Sequence, residues 1–126
     1  MEKAQKKVIE ILKTASPVEV YFPHERDPHP DHRATSIIVE NSINAIYLKI
    51  LKYQYLINSP NIKNKVRNNE KVRVDVSEFL PFKKRAIDEY KSQITLIALQ
   101  QKQPILTSSF LDKFRKDVEE FTVKSL

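Results

Sequence analysis

The sequence predicts an α/β fold, in which helices pack against a sheet that contains parallel strands. Patterns typical of helices and strands alternate along the 126 residues, and this alternation is characteristic of layered α/β domains. A polar stretch that carries all three histidines directly follows an apolar strand pattern, as the binding loops of open parallel sheets do. Because a chain of this length suits one folding unit, we expect a single α/β domain over residues 1–126.

The amino-terminal part of the chain is expected to form a helix, a strand and a stiff polar loop. Residues 2–15 place apolar side chains on one stripe and charged side chains opposite, which predicts an amphipathic helix. A Ser-Pro pair ends this helix because the residue before a proline is disfavoured in helices, and a strand over 18–22 follows. A proline-rich motif loop over 23–31 then leads into a helix over 32–52, for which Asp31 is the expected N-cap.

The rest of the chain is expected to alternate strands with helices. The asparagine-rich residues 58–70 are predicted to form an exposed connection. Strict alternation of polar and apolar side chains predicts strands, and apolar spacings near 3.6 predict helices, the last of them capped by a serine. The elements predicted in this way are strands 53–57 and 71–76, helices 81–100 and 109–120, and a terminal edge strand over 121–123.

Composition limits the classes of function that this chain can have. The formal net charge is +6, but the basic residues are mixed with 16 acidic ones and are not interleaved with aromatic residues, which disfavours nucleic-acid binding. The absence of glycine excludes glycine-rich phosphate loops and dinucleotide fingerprints. The absence of cysteine leaves His, Asp and Glu as metal ligands. Because no apolar run is long enough for a membrane span and no signal peptide is recognisable, we expect no membrane partner and a cytoplasmic protein.

The stretch Arg26–Ala34, with the sequence RDPHPDHRA, concentrates the candidate functional residues. Two histidines lie three residues apart, with a proline and Asp31 between them. A metal site near neutral pH needs imidazole or carboxylate ligands on a stiff backbone, each imidazole being oriented by a second group. Surface histidines at the start of an ordinary capped helix would show the same spacing, so both interpretations remain open at this point.

This stretch resembles the second conserved block of the LmbE/PIG-L-like N-deacetylases, which are zinc enzymes that remove acetyl groups from N-acetylglucosamine conjugates and related amino sugars. Weaker resemblances follow, in the family's order, in Val74–Ser77, Lys84–Gln93 and Val118–Phe121. The resemblance implies that the chain corresponds to the carboxyl-terminal half of that fold. This half would be a partial Rossmann-like three-layer sheet with flanking helices.

The resemblance also implies roles for individual residues. His32 would be a zinc ligand, and Asp31 would orient a neighbouring imidazole. His29 would face the substrate carbonyl, where it would stabilise the oxyanion or protonate the leaving amine, so His29 and Asp31 are the candidate catalytic residues. Arg26 and Asp27 would shape a polar rim that binds the substrate.

One block of the family has no counterpart in this chain. The family carries a His-Pro-Asp-Asp block after its first strand, which supplies two more zinc ligands and the general base, whereas the residues before Val18 contain no histidine and no aspartate. The resemblance therefore predicts a zinc-dependent amide hydrolase of amino-sugar conjugates that is inactive alone and is completed by a homo-oligomer or a complementary chain. The alternatives are a non-catalytic, self-associating module derived from that fold and, more weakly, a basic binder of anions or nucleic acid.

Overall fold

The computed structural model describes residues 2–56, 71–96 and 102–124, and these residues form a mixed α/β fold. The four strands form one sheet in the order β1-β2-β4-β3, in which β1 and β2 are parallel and β4 is antiparallel to β2. The predicted α/β class is therefore confirmed. In chain order, the elements are α1 (Glu2–Ala15), β1 (Glu19–Pro23), α2 (Pro30–Asn44), β2 (Leu51–Tyr55), β3 (Lys71–Asp75), a 3-10 turn (Ser77–Phe79), α3 (Leu80–Asp88), α4 (Lys91–Ile94), α5 (Ser108–Leu111) and β4 (Val118–Lys124).

Contacts within the chain divide it into two compact units. The larger unit contains the described residues up to Val72 together with those from Glu120 onward, and the smaller unit runs from Arg73 to Glu119. In the smaller unit, ion pairs join Lys83 to Glu119 and Arg115 to Asp88, each at 2.7 Å. All the candidate site residues lie in the larger unit.

The core of the larger unit lies between its two long helices and one face of the sheet. α1 contributes Leu12, β1 contributes Phe22, and α2 contributes Ile43, while Ile46 and Ile50 follow α2 in the chain. Side chains of successive strand residues point to opposite faces, so Phe22 and its neighbours two residues away face the helices. Burial of these apolar side chains makes the main contribution to the free energy that keeps α1 and α2 packed against β1.

The opposite face of the sheet carries an aromatic cluster. Tyr21 of β1 stacks on Tyr53 of β2, with ring centroids 4.8 Å apart and an angle of 13° between the rings. Phe121 of β4 meets Tyr21 edge to face at 4.9 Å. The hydroxyl of Tyr21 donates to Glu19 at 2.8 Å. Tyr21 is nevertheless 45% exposed, so water reaches this face of β1.

The helix predicted over 32–52 is wrong in length. α2 begins at Pro30 and ends at Asn44, and the chain becomes a strand at Leu51. Ile46 and Ile50 follow α2 and are buried in the core, although their segment is not helical. A run of apolar residues predicts burial but does not distinguish a helix from another buried conformation. The first and second strands are each displaced from the predicted bounds, and residue 57 lies outside the described residues, as does the predicted connection over 58–70.

The predicted carboxyl-terminal helices are also wrong in extent. The chain leaves α3 at Glu89, and only the short α4 follows, while residues 97–100 of the predicted helix lie outside the described part. The helix predicted over 109–120 is limited to α5, and Thr107 rather than a serine is its N-cap. The last residues form β4, which lies between β2 and β3 and is not an edge strand. Pairing with β2 decides this outcome, because cross-strand contacts outweigh local propensity.

Among the described residues, no helix combines the length and the apolar character that crossing a bilayer requires.

Candidate functional site

The candidate site is built on a turn, residues 24–29, which we call the elbow. It starts where β1 ends, and the His24 N–H donates to the Tyr55 carbonyl at 2.9 Å, so the elbow begins at the carboxyl ends of two parallel strands. The Asp27 N–H donates back to the His24 carbonyl at 3.0 Å. The Arg33 guanidinium closes the elbow from α2, because its Nη1 donates to the carbonyls of Asp27 (2.9 Å) and Pro28 (2.7 Å).

Asp27 is the centre of the elbow and is 0% exposed. Its Oδ1 accepts the His29 N–H at 2.9 Å and lies 2.9 Å from Nδ1 of His32. The approach to Nδ1 is oblique, since this buried atom makes no hydrogen bond of acceptable angle within the described part of the chain. A carboxylate beside Nδ1 favours the imidazole tautomer with its proton on Nδ1, which leaves the lone pair of His32 on Nε2.

In His29, the proton lies on the other ring nitrogen. His29 is the N-cap of α2, and its Nδ1 accepts the Asp31 N–H at 3.2 Å. Because Nδ1 is an acceptor, the neutral ring carries its proton on Nε2 and presents a donor there. The exposed ring of His29 lies 4.7 Å from the ring of His32, centroid to centroid. The two imidazoles are therefore neighbours, with a donor at Nε2 of His29 and a lone pair at Nε2 of His32.

His24, the first residue of the elbow, is buried, and its Nδ1 accepts the Arg26 N–H at 3.0 Å. Burial lowers the pKa of His24 below its ordinary value of 6.5, against the opposing effect of the nearby Glu25 carboxylate. The neutral ring, like that of His29, carries its proton on Nε2. Among the three histidines, only His32 has its lone pair on Nε2.

The lowered pKa of His24 makes the stability of the larger unit depend on pH. The unfolded chain begins to bind a proton near pH 6.5 while the folded chain resists it, so we expect the free energy of unfolding to fall as the pH falls through about 6.5. The variant His24→Asn keeps an acceptor for the Arg26 N–H and removes the titration. Urea unfolding at a series of pH values should give a flatter profile for this variant, and parallel profiles would contradict the assignment.

Asp31 and Asp27 do not lie where the sequence suggested, whereas Arg26 is exposed as a rim residue would be. The Asp31 side chain is 88% exposed, and its carboxylate is 3.9 Å from Nδ1 of His29. The prediction that Asp31 caps the helix is wrong, because His29 is the N-cap and Pro30 and Asp31 begin the first turn. Arg26 is exposed and contacts His24 through its backbone N–H. The predicted substrate-binding residue Asp27 lies beneath the surface rather than at a rim.

A group of charged side chains next to the elbow was not anticipated from the sequence. Lys124 of β4 donates to Glu25 of the elbow and to Glu40 of α2, the latter at 2.8 Å. Lys52 of β2, which is buried, lies 3.9 Å from Glu40. The hydrogen bond from Lys124 holds the pKa of Glu25 below its usual value. This ionic cluster joins the elbow to α2 and to two strands that are distant in sequence, so no local signal could have revealed it.

The described residues fit zinc only in part. A catalytic zinc site usually has three protein ligands and a water molecule, and among the described residues no group of three or more His, Asp or Glu side chains is placed to hold a metal ion. His32, with a buried carboxylate behind it, fits as one ligand. The remaining ligands have no counterpart in the elbow, so no catalytic step through a metal follows from this chain by itself.

No protein-family model matches this sequence.

Proposed function

We propose that the larger unit carries part of a zinc-dependent hydrolase site for the amides of N-acetylated amino sugars, which another chain completes. The observation that supports this proposal best is the pairing of buried Asp27 with Nδ1 of His32 at 2.9 Å, at the carboxyl end of a parallel strand. Carboxylate–histidine pairs orient metal ligands in this way. Carboxyl ends of parallel strands are also where open α/β sheets bind ligands.

The chemistry assigned to each histidine follows from its tautomer. His32 has a lone pair on Nε2 and would hold the metal, while His29 has an N–H at Nε2 and would donate to the oxyanion or to the leaving amine. Zinc, once fully ligated, would supply a water molecule with a pKa of about 7. The exposed Arg26 and Asp31 remain candidates for contact with the substrate. We further propose that the chain corresponds to the carboxyl-terminal part of a Rossmann-like deacetylase fold. We also propose that the protein is cytoplasmic.

Zinc binding by the purified chain tests the metal part of the proposal. We expect weak binding in a calorimetric titration, with loss of binding in His32→Ala and a fall in affinity of about 10–100-fold in Asp27→Asn, where the neutral amide no longer favours the ligating tautomer. His29→Asn is the matched control, because asparagine is a good N-cap and the lone pair of His32 is unchanged. Binding that survives His32→Ala, or that His29→Asn abolishes equally, would contradict this assignment.

Activity tests the catalytic part of the proposal. The chain alone should release no acetate from N-acetylglucosamine derivatives, because its described residues offer neither a full set of zinc ligands nor a general base. Addition of a chain that supplies a His-Pro-Asp-Asp block should restore acetate release, and His29→Asn should then lower turnover more than zinc affinity. Robust release by the isolated chain would show that its ligand set is complete and would overturn the half-site proposal.

A further inference from the structure

Arg33 joins the first turn of α2 to the middle of the elbow. Its backbone N–H donates to the His29 carbonyl at 3.2 Å, which is a bond of the first helical turn. Its Nη1 donates to the carbonyls of Asp27 (2.9 Å) and Pro28 (2.7 Å). Hydrogen bonds from an ionised donor are stronger than those between neutral groups, and the guanidinium is always charged. One nitrogen of Arg33 therefore holds two successive carbonyls of the elbow.

The elbow needs this donor because it is rich in proline. Pro28 and Pro30 have no backbone N–H. The N–H of Asp27 is used by the His24 carbonyl, and the N–H of His29 is used by the Asp27 carboxylate. The guanidinium thus takes the place of the backbone donors that the prolines do not supply.

The orientation of these two carbonyls determines where the Asp27 carboxylate lies. A peptide unit is planar, so a fixed Asp27 carbonyl also fixes the rotation of the backbone about Cα of Asp27, from which the buried side chain leaves. The Pro28 carbonyl belongs to the peptide unit whose N–H, that of His29, donates to Oδ1 of Asp27. The same Oδ1 lies 2.9 Å from Nδ1 of His32. Arg33 therefore acts on both peptide units that keep the carboxylate beside His32.

Asp31 does not offer a substitute for this carboxylate. It precedes His32 in the first turn of α2, where adjacent side chains point in different directions around the helix, and its side chain is 88% exposed. The group that contacts one ring nitrogen decides which nitrogen carries the proton, and in water a neutral imidazole prefers the proton on Nε2. Loss of the contact with Asp27 would therefore move the proton of His32 to Nε2 and remove the lone pair there.

We propose that Arg33 is a positioning residue for His32. It holds the carbonyls of Asp27 and Pro28, keeps the buried carboxylate beside Nδ1 of His32, and thereby keeps the lone pair of His32 on Nε2. This effect on the tautomer concerns the contacts of this chain alone. Its consequence for zinc, a lower affinity when Arg33 is replaced, rests on the proposed function.

NMR of the chain labelled with ¹⁵N-histidine measures the tautomers directly, at about pH 8.5, which is well above the ordinary pKa of histidine. The unaltered chain should show the proton of His32 on Nδ1 and the protons of His24 and His29 on Nε2. Arg33→Met keeps an apolar stem without the donors, and it should move most of the His32 protons to Nε2. Arg26→Met is the matched control, because it removes the same charge from an exposed side chain whose residue contacts His24 through its backbone N–H. It should leave all three tautomers unchanged.

The His24 ring is the internal reference for folding of the elbow, because its Nδ1 accepts the Arg26 N–H. An unchanged His24 together with a moved His32 proton would show lost positioning in a folded elbow. If Arg33→Met changes His24 as well, Arg33→Lys decides, since its ammonium can still donate to one carbonyl and should keep a larger share of the Nδ1 tautomer of His32 than Arg33→Met does.

Three results would overturn the positioning role. The first is a His32 proton that lies on Nε2 in the unaltered chain or stays on Nδ1 in Arg33→Met. The second is the same displacement of that proton in Arg26→Met. The third, where Arg33→Met disturbs His24, is an equal share of the Nδ1 tautomer in Arg33→Lys and Arg33→Met.

A zinc titration of the same variants separates the positioning role from the proposed function. Arg33→Met should bind zinc about tenfold more weakly than Arg26→Met, at the lower end of the range for groups that orient a metal ligand. Equal affinities despite a moved His32 proton would overturn the consequence for zinc. If the unaltered chain binds no zinc while Arg33→Met still moves the His32 proton, the proposed function fails and the positioning role stands.

Discussion

Replacement of Asp27 by alanine is expected to lower the free energy of unfolding of the larger unit by about 2 kcal/mol. The carboxylate is fully buried, accepts the His29 N–H at 2.9 Å and lies 2.9 Å from Nδ1 of His32. A partly buried N–H that loses its acceptor costs about 1–3 kcal/mol. Because small proteins are stable by only about 5–15 kcal/mol, this is a large part of the total. Urea unfolding followed by circular dichroism and by tyrosine fluorescence measures the change.

Two further variants serve as comparisons. One replaces the Asp27 carboxylate by a neutral amide, and the other removes the neighbouring carboxylate of Asp31. Asp27→Asn retains an oxygen for the His29 N–H, so it should destabilise the larger unit less than the alanine variant does. Asp31→Ala removes the neighbouring carboxylate, whose side chain is 88% exposed, and should cost less than about 1 kcal/mol. A larger effect of Asp31→Ala than of Asp27→Ala would show that the orienting carboxylate has been misidentified.

Removal of the Glu40 carboxylate, in Glu40→Ala, should cost about 2 kcal/mol. Glu40 lies between Lys52 and Lys124, and the variant leaves both ammonium groups partly buried without this partner. Loss of one partner from a fully buried ion pair costs about 3–5 kcal/mol, and the partial exposure of Glu40 reduces this value. The effect should be visible in urea unfolding and should change little with salt, because partly buried pairs are weakly screened.

The matched control for Glu40 is another lysine–glutamate pair in the same unit. Glu10 on the surface of α1 accepts from Lys7 at 3.0 Å, and both side chains are largely exposed. Glu10→Ala should therefore cost less than about 0.5 kcal/mol, and this small effect should vanish at high salt. If Glu40→Ala behaved in the same way, the ionic cluster would be a surface feature without influence on the position of the elbow.

The elements that the sequence predicted well are those specified by short-range signals. α1 has the predicted bounds because its apolar stripe and the Ser-Pro pair after it act within a few residues. The helix before β2 was predicted too long because Ile46 and Ile50 are buried in the core by a non-helical segment. β4 was missed as a full strand because its partner β2 is distant in sequence, and a pattern read along the chain does not identify that partner.

The sequence predicted the setting of the candidate site but not its contacts. The stretch rich in histidine and proline lies between a strand and a helix, as the local pattern predicts. The resemblance assigned the orienting role to Asp31, whereas the carboxylate in contact with His32 is that of Asp27. Which aspartate is buried depends on how Arg33 closes the elbow, and this depends on the packing of α2. The one local signal for the buried carboxylate was the spacing of Asp27 and His29, because an aspartate often accepts the N–H of the residue two positions later.

The position of β4 has a consequence for the synthesis of the protein. β2 can gain its antiparallel neighbour only after the ribosome has made the chain as far as Lys124, because Thr122, Val123 and Lys124 are the residues that pair with it. Until then, the nascent chain leaves that side of β2 open and Lys52 without the neighbouring strand. Contacts between residues so far apart in sequence form slowly. An open strand edge of this kind exposes the chain to aggregation until the last strand has joined the sheet.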